Sequence, residues 1–395
     1  MSHTQRGMMV PERNYLIGFP ITDPDLSLSF LHFVFRIDQK ILSEDKGAVY
    51  MKTETLQKAV ETNEDIALMI REKLPEMLKA QMLKNDPELD PEMLRFSTEE
   101  MVKNNGTKMI GIQMEKKGEN LSPCIYLERY LPDHISELQE DGLWEDVVDR
   151  LTRDFQYAAE IVSPTVCLEN KGSSREMFRK EEIPDHLVLS VVNREMNAET
   201  LKKGPYRSFL DLAIIMEWEI RCGGRRGCMR VSHELFEFWG QTFDELYDTA
   251  LENTMRRYPE RIEKLDEVIK NIFSGHGNMD PCQFLPGPSP FYYCGTDNGL
   301  SGSVAVIYPG IGKRIYETVG EAYYLIPSSM DELLAIPVGF TSDPEQEEGS
   351  GEESPADRLK EIIQEVNTEV LNRTEILSDS LYYYSVEEDR FEIVQ

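Results

Sequence analysis

The sequence is poor in the residues from which compact catalytic and metal-binding devices are made. Its six cysteines, Cys124, Cys167, Cys222, Cys228, Cys282 and Cys294, never fall as Cys-x-x-Cys. Neither a zinc ribbon nor a dithiol redox motif is therefore spelled out. Six cysteines spread over 395 residues also do not make a disulfide scaffold. The six histidines, His3, His32, His134, His186, His233 and His276, include no pair at metal-ligand spacing. His233-Glu234 opens like His-Glu-x-x-His, but Glu237 stands where the second histidine belongs. The residues call for no metal and no cofactor. No apolar run is long enough to span a bilayer, and the first residues lack the basic, apolar and small-residue order of a signal peptide. A soluble, cytoplasmic protein with reduced thiols and no membrane contact is expected.

Basic residues are scarce as well. Lys and Arg number 42 against 72 Asp and Glu, for a formal charge of −30. Such an excess repels phosphate backbones, so direct nucleic-acid binding through a broad basic face is disfavoured. It also favours a protein partner that carries a basic surface.

What is present reads as an α+β chain with mixed or mainly antiparallel sheets and packed amphipathic helices in about two lobes. Residues 1–50 are poorly periodic and read as a non-native or disordered extension. Lys46-Gly47-Ala48 can be encoded by codons containing AGGAG just ahead of Met51, so translation is expected to begin at Met51. Residues 51–185 form the first expected lobe and 186–340 the second. Residues 341–357 read as a flexible acidic linker, and 358–395 as a helix and hairpin packed on the second lobe.

Within this frame, Leu56, Val60, Ile66, Ile70, Leu74 and Leu78 make an apolar helical stripe that Pro75 divides or kinks. Asn104-Asn105-Gly106 is a turn signal. Lys108–Met114 and Pro123–Leu127 follow as neighbouring strands, and a helix runs from Trp144 to about Ala159. His186–Leu201 reads as an amphipathic region. Phe209–Ile220 fits either strand or helix and pairs with Met229-Arg230-Val231. Thr242 and Glu245 form a capping box for the next helix. Gly302–Tyr308 reads as a strand, followed by a short helix to Gly320 and a strand over 322–326. Ser328 and Ser329 read as a helix N-cap ahead of Met330–Leu333. Ser354-Pro355 opens a helix, and Ser380–Val394 closes the chain as a hairpin.

Few residues invite a chemical role. Arg221, Arg225 and Arg226 cluster among glycines beside Cys222 and Cys228. Such a cluster can hold an anion or contact a partner, and would lower the pKa of a neighbouring thiol. Gly310-Ile311-Gly312-Lys313 lies ahead of a helix, but its spacing is wrong for a phosphate loop and Arg314 replaces Ser or Thr. The leading expectation is a non-enzymatic accessory protein that acts through protein–protein interaction. One alternative is an enzyme whose site is assembled from distant residues, Asp211, His233 and His276. Another is an acidic DNA mimic.

An ordered series of motifs carries a resemblance. Lys103-Asn104-Asn105-Gly106 leads into Ser122-Pro123-Cys124-Ile125-Tyr126-Leu127. Phe209-Leu210-Asp211-Leu212-Ala213 follows, then Trp239 with Glu245-Leu246 and Glu252-Asn253-Thr254. Ile307-Tyr308-Pro309-Gly310, Leu325-Ile326-Pro327-Ser328-Ser329 and Ile376-Leu377-Ser378-Asp379 complete it. Over most of Met51–Val394 the chain resembles the bacterial domain-of-unknown-function family 5688. That resemblance implies a family beginning near the first helix, and it implies no catalytic residues.

Overall fold

The computed structural model describes residues 15–18, 53–117, 121–131, 138, 142–162, 183–222, 225–274, 289–297, 301–341 and 354–395. Period-two alternation of apolar side chains builds two largely antiparallel sheets, which helices cover, in an α+β architecture. The first sheet takes β1 (Tyr15–Gly18), β2 (Leu94–Val102), β3 (Lys108–Lys116), β4 (Leu121–Tyr126), β5 (Leu187–Asn193), β6 (Tyr206–Phe209), β7 (Leu212–Cys222) and β8 (Arg225–Arg230). Its order is β2-β3-β4-β1-β8-β7-β5, with β6 also paired to β7. β1 runs parallel to β4 and antiparallel to β8, so Gly18 stands opposite both Cys124 and Cys228. The sheet thus draws strands from 1–50 and from both expected lobes; the lobe boundaries we retain as a proposal.

The second sheet contains β9 (Glu260–Lys264), β10 (Tyr292–Thr296), β11 (Tyr323–Ile326), β12 (Leu333–Pro337), β13 (Tyr382–Ser385) and β14 (Arg390–Ile393). Its order is β14-β13-β11-β12-β10-β9, and each pairing is antiparallel. Its central strands β10, β11 and β12 are largely buried on both faces. Leu333 and Ala335 point into the largest core cluster, and Leu334 and Ile336 point into another.

The first helical stripe forms in pieces: α1 (Thr53–Thr62), α2 (Glu64–Leu68) and α3 (Leu74–Asn85), with a π-helical turn at Met69–Lys73. Asn63 caps α2, its side chain accepting from the Asp65 and Ile66 amides. Pro75 has no N–H to give to the ladder, so the widened turn falls just ahead of it. Leu56, Ile66, Ile70, Leu74, Leu78 and Met82 pack on Phe96, Ile112 and Ile125, and on Val147, Leu151 and Phe155 of α4 (Leu143–Val162). Side chains this fully enclosed each contribute about 1.5–3 kcal/mol through burial.

β5, β7 and β8 share the largest core with α5 (His233–Trp239), α6 (Phe243–Arg257) and the second sheet. The capping box on α6 is present, with Thr242 and Glu245 bonded in both directions. α7 (Leu265–Ser274) and α9 (Pro355–Glu369) cover the other face of the second sheet through Leu265, Val268, Ile269, Leu359 and Ile363. Ser354 caps α9, as expected. Between these helices in the chain, α8 (Ile311–Val319) ends at Gly320, whose φ of 89° suits glycine.

Buried asparagines clasp the parts together. The Asn104–Gly106 turn places Asn105 at φ 58° and Gly106 at φ 68°, a left-handed region that Asn and Gly tolerate. Asn105 Nδ2 donates to the carbonyls of Arg373 (2.7 Å) and Ile376 (2.6 Å), and Arg373 Nε donates back to the Asn105 carbonyl (3.0 Å). Asn197 Nδ2 donates to Asn105 Oδ1 (2.8 Å) and Asn104 Oδ1 (2.9 Å), while the Asn105 amide donates to Asn197 Oδ1 (2.9 Å). The β2–β3 turn is thereby tied to the segment after β5 and to the approach to β13.

Three expectations are corrected. Gly302–Ile307 is a 3-10 run rather than a strand. Gly302–Val306 are buried and Ile307 half-buried, and the run pairs with no strand; an apolar run of this length carries no period to separate the two states. His186–Leu201, read as amphipathic, contains strand β5, which is buried on both faces and so has no polar side. Ser328 and Ser329 cap no helix. They turn β11 into β12, and both hydroxyls donate to Glu332 Oε1, at 3.1 and 2.6 Å. Burial pushes the Glu332 carboxyl up to about 8, although the two hydroxyls and neighbouring charges act on it as well. Residues 342–353, the greater part of the expected linker, lie outside the described residues.

Candidate functional site

The β2 end of the first sheet carries an open groove of about 540 Å³ between α3, with its preceding π turn, and the outer edge of β2. Arg71, Glu72, Pro75, Glu76 and Lys79 line one wall, and their spacing puts them on one helical face. Arg95, Phe96, Ser97 and Thr98 line the other. Residues of both strand faces take part, so the groove runs along the strand edge itself. The floor is rigid: Phe96 is buried and meets Phe155 edge-on at 5.2 Å.

Charge is distributed unevenly along this edge. Arg71, Lys79 and Arg95 make no ion pair among the described residues, in a chain of formal charge −30. Glu115 stands across from Arg95 in the β2–β3 register. Further along β2, Glu99 accepts from Gln113 Nε2 at 3.2 Å, and Glu100 pairs with Lys108 at 2.7 Å. Along β2 itself the charge order therefore runs from Arg95 to Glu99 and Glu100, while the helical wall carries both signs, Arg71 and Lys79 with Glu72 and Glu76. No hydrogen bond among the described residues closes the outer side of β2.

A second polar cluster lies at the other end of the same hairpin. The Asn104–Gly106 turn directs Lys103 inward, where Nζ donates to the Tyr126 hydroxyl at 2.8 Å and lies 4.2 Å from its ring centre. Burial lowers the pKa of the Lys103 amine, opposed by the charges of Cys124 and Glu217. Burial raises the neighbouring Cys124 thiol to about 11, which makes it an inert sulfur.

The residues singled out from the sequence lie elsewhere. Arg221, Arg225 and Arg226 fall on the β7–β8 hairpin, with Arg221 opposite Arg226 and Cys222 opposite Arg225. Asp211 precedes β7 and accepts hydrogen bonds from the Tyr382 hydroxyl (2.5 Å) and from Ser378 Oγ, which ties it to the C-terminal segment. His233 is the exposed first residue of α5, its amide donating to the Lys203 carbonyl at 3.1 Å. No hydrogen bond joins Asp211 to His233 among the described residues, and His276 lies outside them. Among the described residues no group of His, Cys, Asp and Glu is placed to hold a metal ion, and no helix is long and apolar enough to cross a membrane.

The groove residues were not legible beforehand because they are scattered over 71–98. The signal for their strand is nonetheless present: Leu94, Phe96 and Thr98 alternate with Arg95 and Ser97.

No curated protein and no solved structure matches the chain. The model of a family of unknown function, DUF5688, matches residues 70–386, a span that includes the groove, the Lys103 turn and the asparagine clasp, and the chain belongs to that family.

Proposed function

We propose that this is a non-enzymatic accessory protein that works by binding another polypeptide chain, with the groove between α3 and β2 as its contact surface. The observation that carries this reading is the open strand edge beside Arg71, Lys79 and Arg95, which make no ion pair among the described residues. An unpaired strand edge offers backbone hydrogen bonds to an incoming chain, and flanking side chains select it. The charge of −30 disfavours direct contact with nucleic acid. The setting we assign is cytoplasmic, where buried Cys124 and Cys294 remain thiols.

The test is affinity capture of the C-terminally tagged chain at low and high salt, beside the triple variant Arg71→Ala, Lys79→Ala, Arg95→Ala. One stoichiometric protein, released by high salt and missing from the variant, is the expected result. A partner held equally well by the variant would move the contact away from the groove. Recovery of no partner by abundant, folded protein that also sediments as a monomer would overturn the binding reading.

A further inference from the structure

The charge order along β2 specifies the occupant of its edge more closely than the groove alone. A purely acidic ligand would meet Glu72, Glu76, Glu99 and Glu100, and a purely basic one would meet Arg71, Lys79 and Arg95. A ligand that carries both signs in reversed order suits both halves. An antiparallel second copy of β2 has that order by construction.

Symmetry then fixes the register. A two-fold axis perpendicular to the sheet keeps each residue on its own face, so facing residues must share parity. With the axis at Ser97, Arg95 faces Glu99 of the partner subunit at both ends of the contact. Phe96 faces the partner subunit's Thr98, an aromatic–β-branched pair of the kind that stabilises sheets. An axis at Thr98 would place Arg95 opposite the partner's Met101, and an axis at Phe96 would place it opposite the partner's Ser97. Only the Ser97 register satisfies Arg95. Glu99 is already held in position by Gln113.

We infer that a second copy of this chain adds to the β2 edge in antiparallel register about Ser97, joining the first sheets of two protomers and pairing Arg95 with Glu99 across the two-fold. The inference rests on the groove being a protein-binding surface, and it names the partner as the chain itself. The charge of −30 opposes self-association, but at physiological ionic strength screening confines that repulsion to roughly 8 Å.

The experiment is sedimentation equilibrium of the full chain at physiological salt, with Arg95→Glu, Glu99→Arg and the double exchange R95E/E99R. Each single exchange sets two like-charged pairs face to face and raises the dimer dissociation constant roughly tenfold or more. The double exchange restores both attractions and returns the dimer. Both positions are exposed, and circular dichroism checks that each variant is folded. A monomeric wild-type chain overturns the inference, as does a dimer unmoved by the single exchanges. A monomer that still captures a partner through Arg71, Lys79 and Arg95 overturns the second-copy assignment while the protein-binding reading stands.

Discussion

The two terminal strands of the first sheet are treated in opposite ways. β5 ends the sheet on one side, and α6 seals its outer edge with two adjacent side chains. Thr254 Oγ1 accepts the Leu189 amide at 2.7 Å, and Asn253 Nδ2 donates to the Leu187 carbonyl at 3.1 Å. Backbone groups that a neighbouring strand would have taken are thus met by a helix. β2 ends the sheet on the other side and has no such seal among the described residues. An exposed edge is a site of unwanted association that proteins generally blunt. One edge is blunted by a dedicated pair of side chains, and the other lies open beside a charged groove among the described residues.

The comparison can be broken at several points. The largest effect is expected at the clasp that holds the open-edged hairpin in place. Asn105→Ala orphans the carbonyls of Arg373 and Ile376 and loses the side chain suited to φ 58°, and should cost about 3 kcal/mol in urea unfolding. Opening the sealed edge comes next. Thr254→Val keeps the shape but leaves the buried Leu189 amide without an acceptor, for a loss of about 2 kcal/mol in the same assay.

The β11–β12 turn of the second sheet holds the acid Glu332, whose carboxyl is raised above the ordinary glutamate value to about 8. The folded state holds this proton where the unfolded chain has released it. Stability should therefore fall as pH rises from about 4.5 to about 8 and then level. Glu332→Gln should flatten that decline in a series of thermal melts, and an unchanged slope would contradict the assignment. The smallest effect on folding is expected at the open edge. Ser97→Lys should change stability by no more than about 0.5 kcal/mol, yet block strand addition in sedimentation, because an edge lysine resists pairing.

Much of the scaffold could be read from the residues. The Asn104-Asn105-Gly106 turn, the paired strands on either side of Lys117, the Thr242–Glu245 box and the terminal hairpin carry their own local signals, and each forms where it was expected. Gly302–Ile307 misled because its β-branched residues face a common core without a neighbouring strand, and burial alone does not separate strand from 3-10 helix. β2 went unread because its alternation is diluted by Arg95, Glu99 and Glu100, charges that suit an edge rather than an interior. The candidate site was the least legible part. Arg221, Arg225 and Arg226 attract notice by adjacency in sequence, whereas Arg71, Lys79 and Arg95 are brought together only when α3 lies along β2.

The asparagine clasp also sets an order in time. Asn105 is made early on the ribosome, but its acceptors at Arg373 and Ile376 lie 268 and 271 residues later. At ordinary elongation rates that interval lasts on the order of tens of seconds. Throughout it the β2–β3 hairpin can form, since its pairing is local, while its buried turn still waits for the strand of chain that closes it. The clasp therefore joins a late-made segment to a hairpin completed long before it.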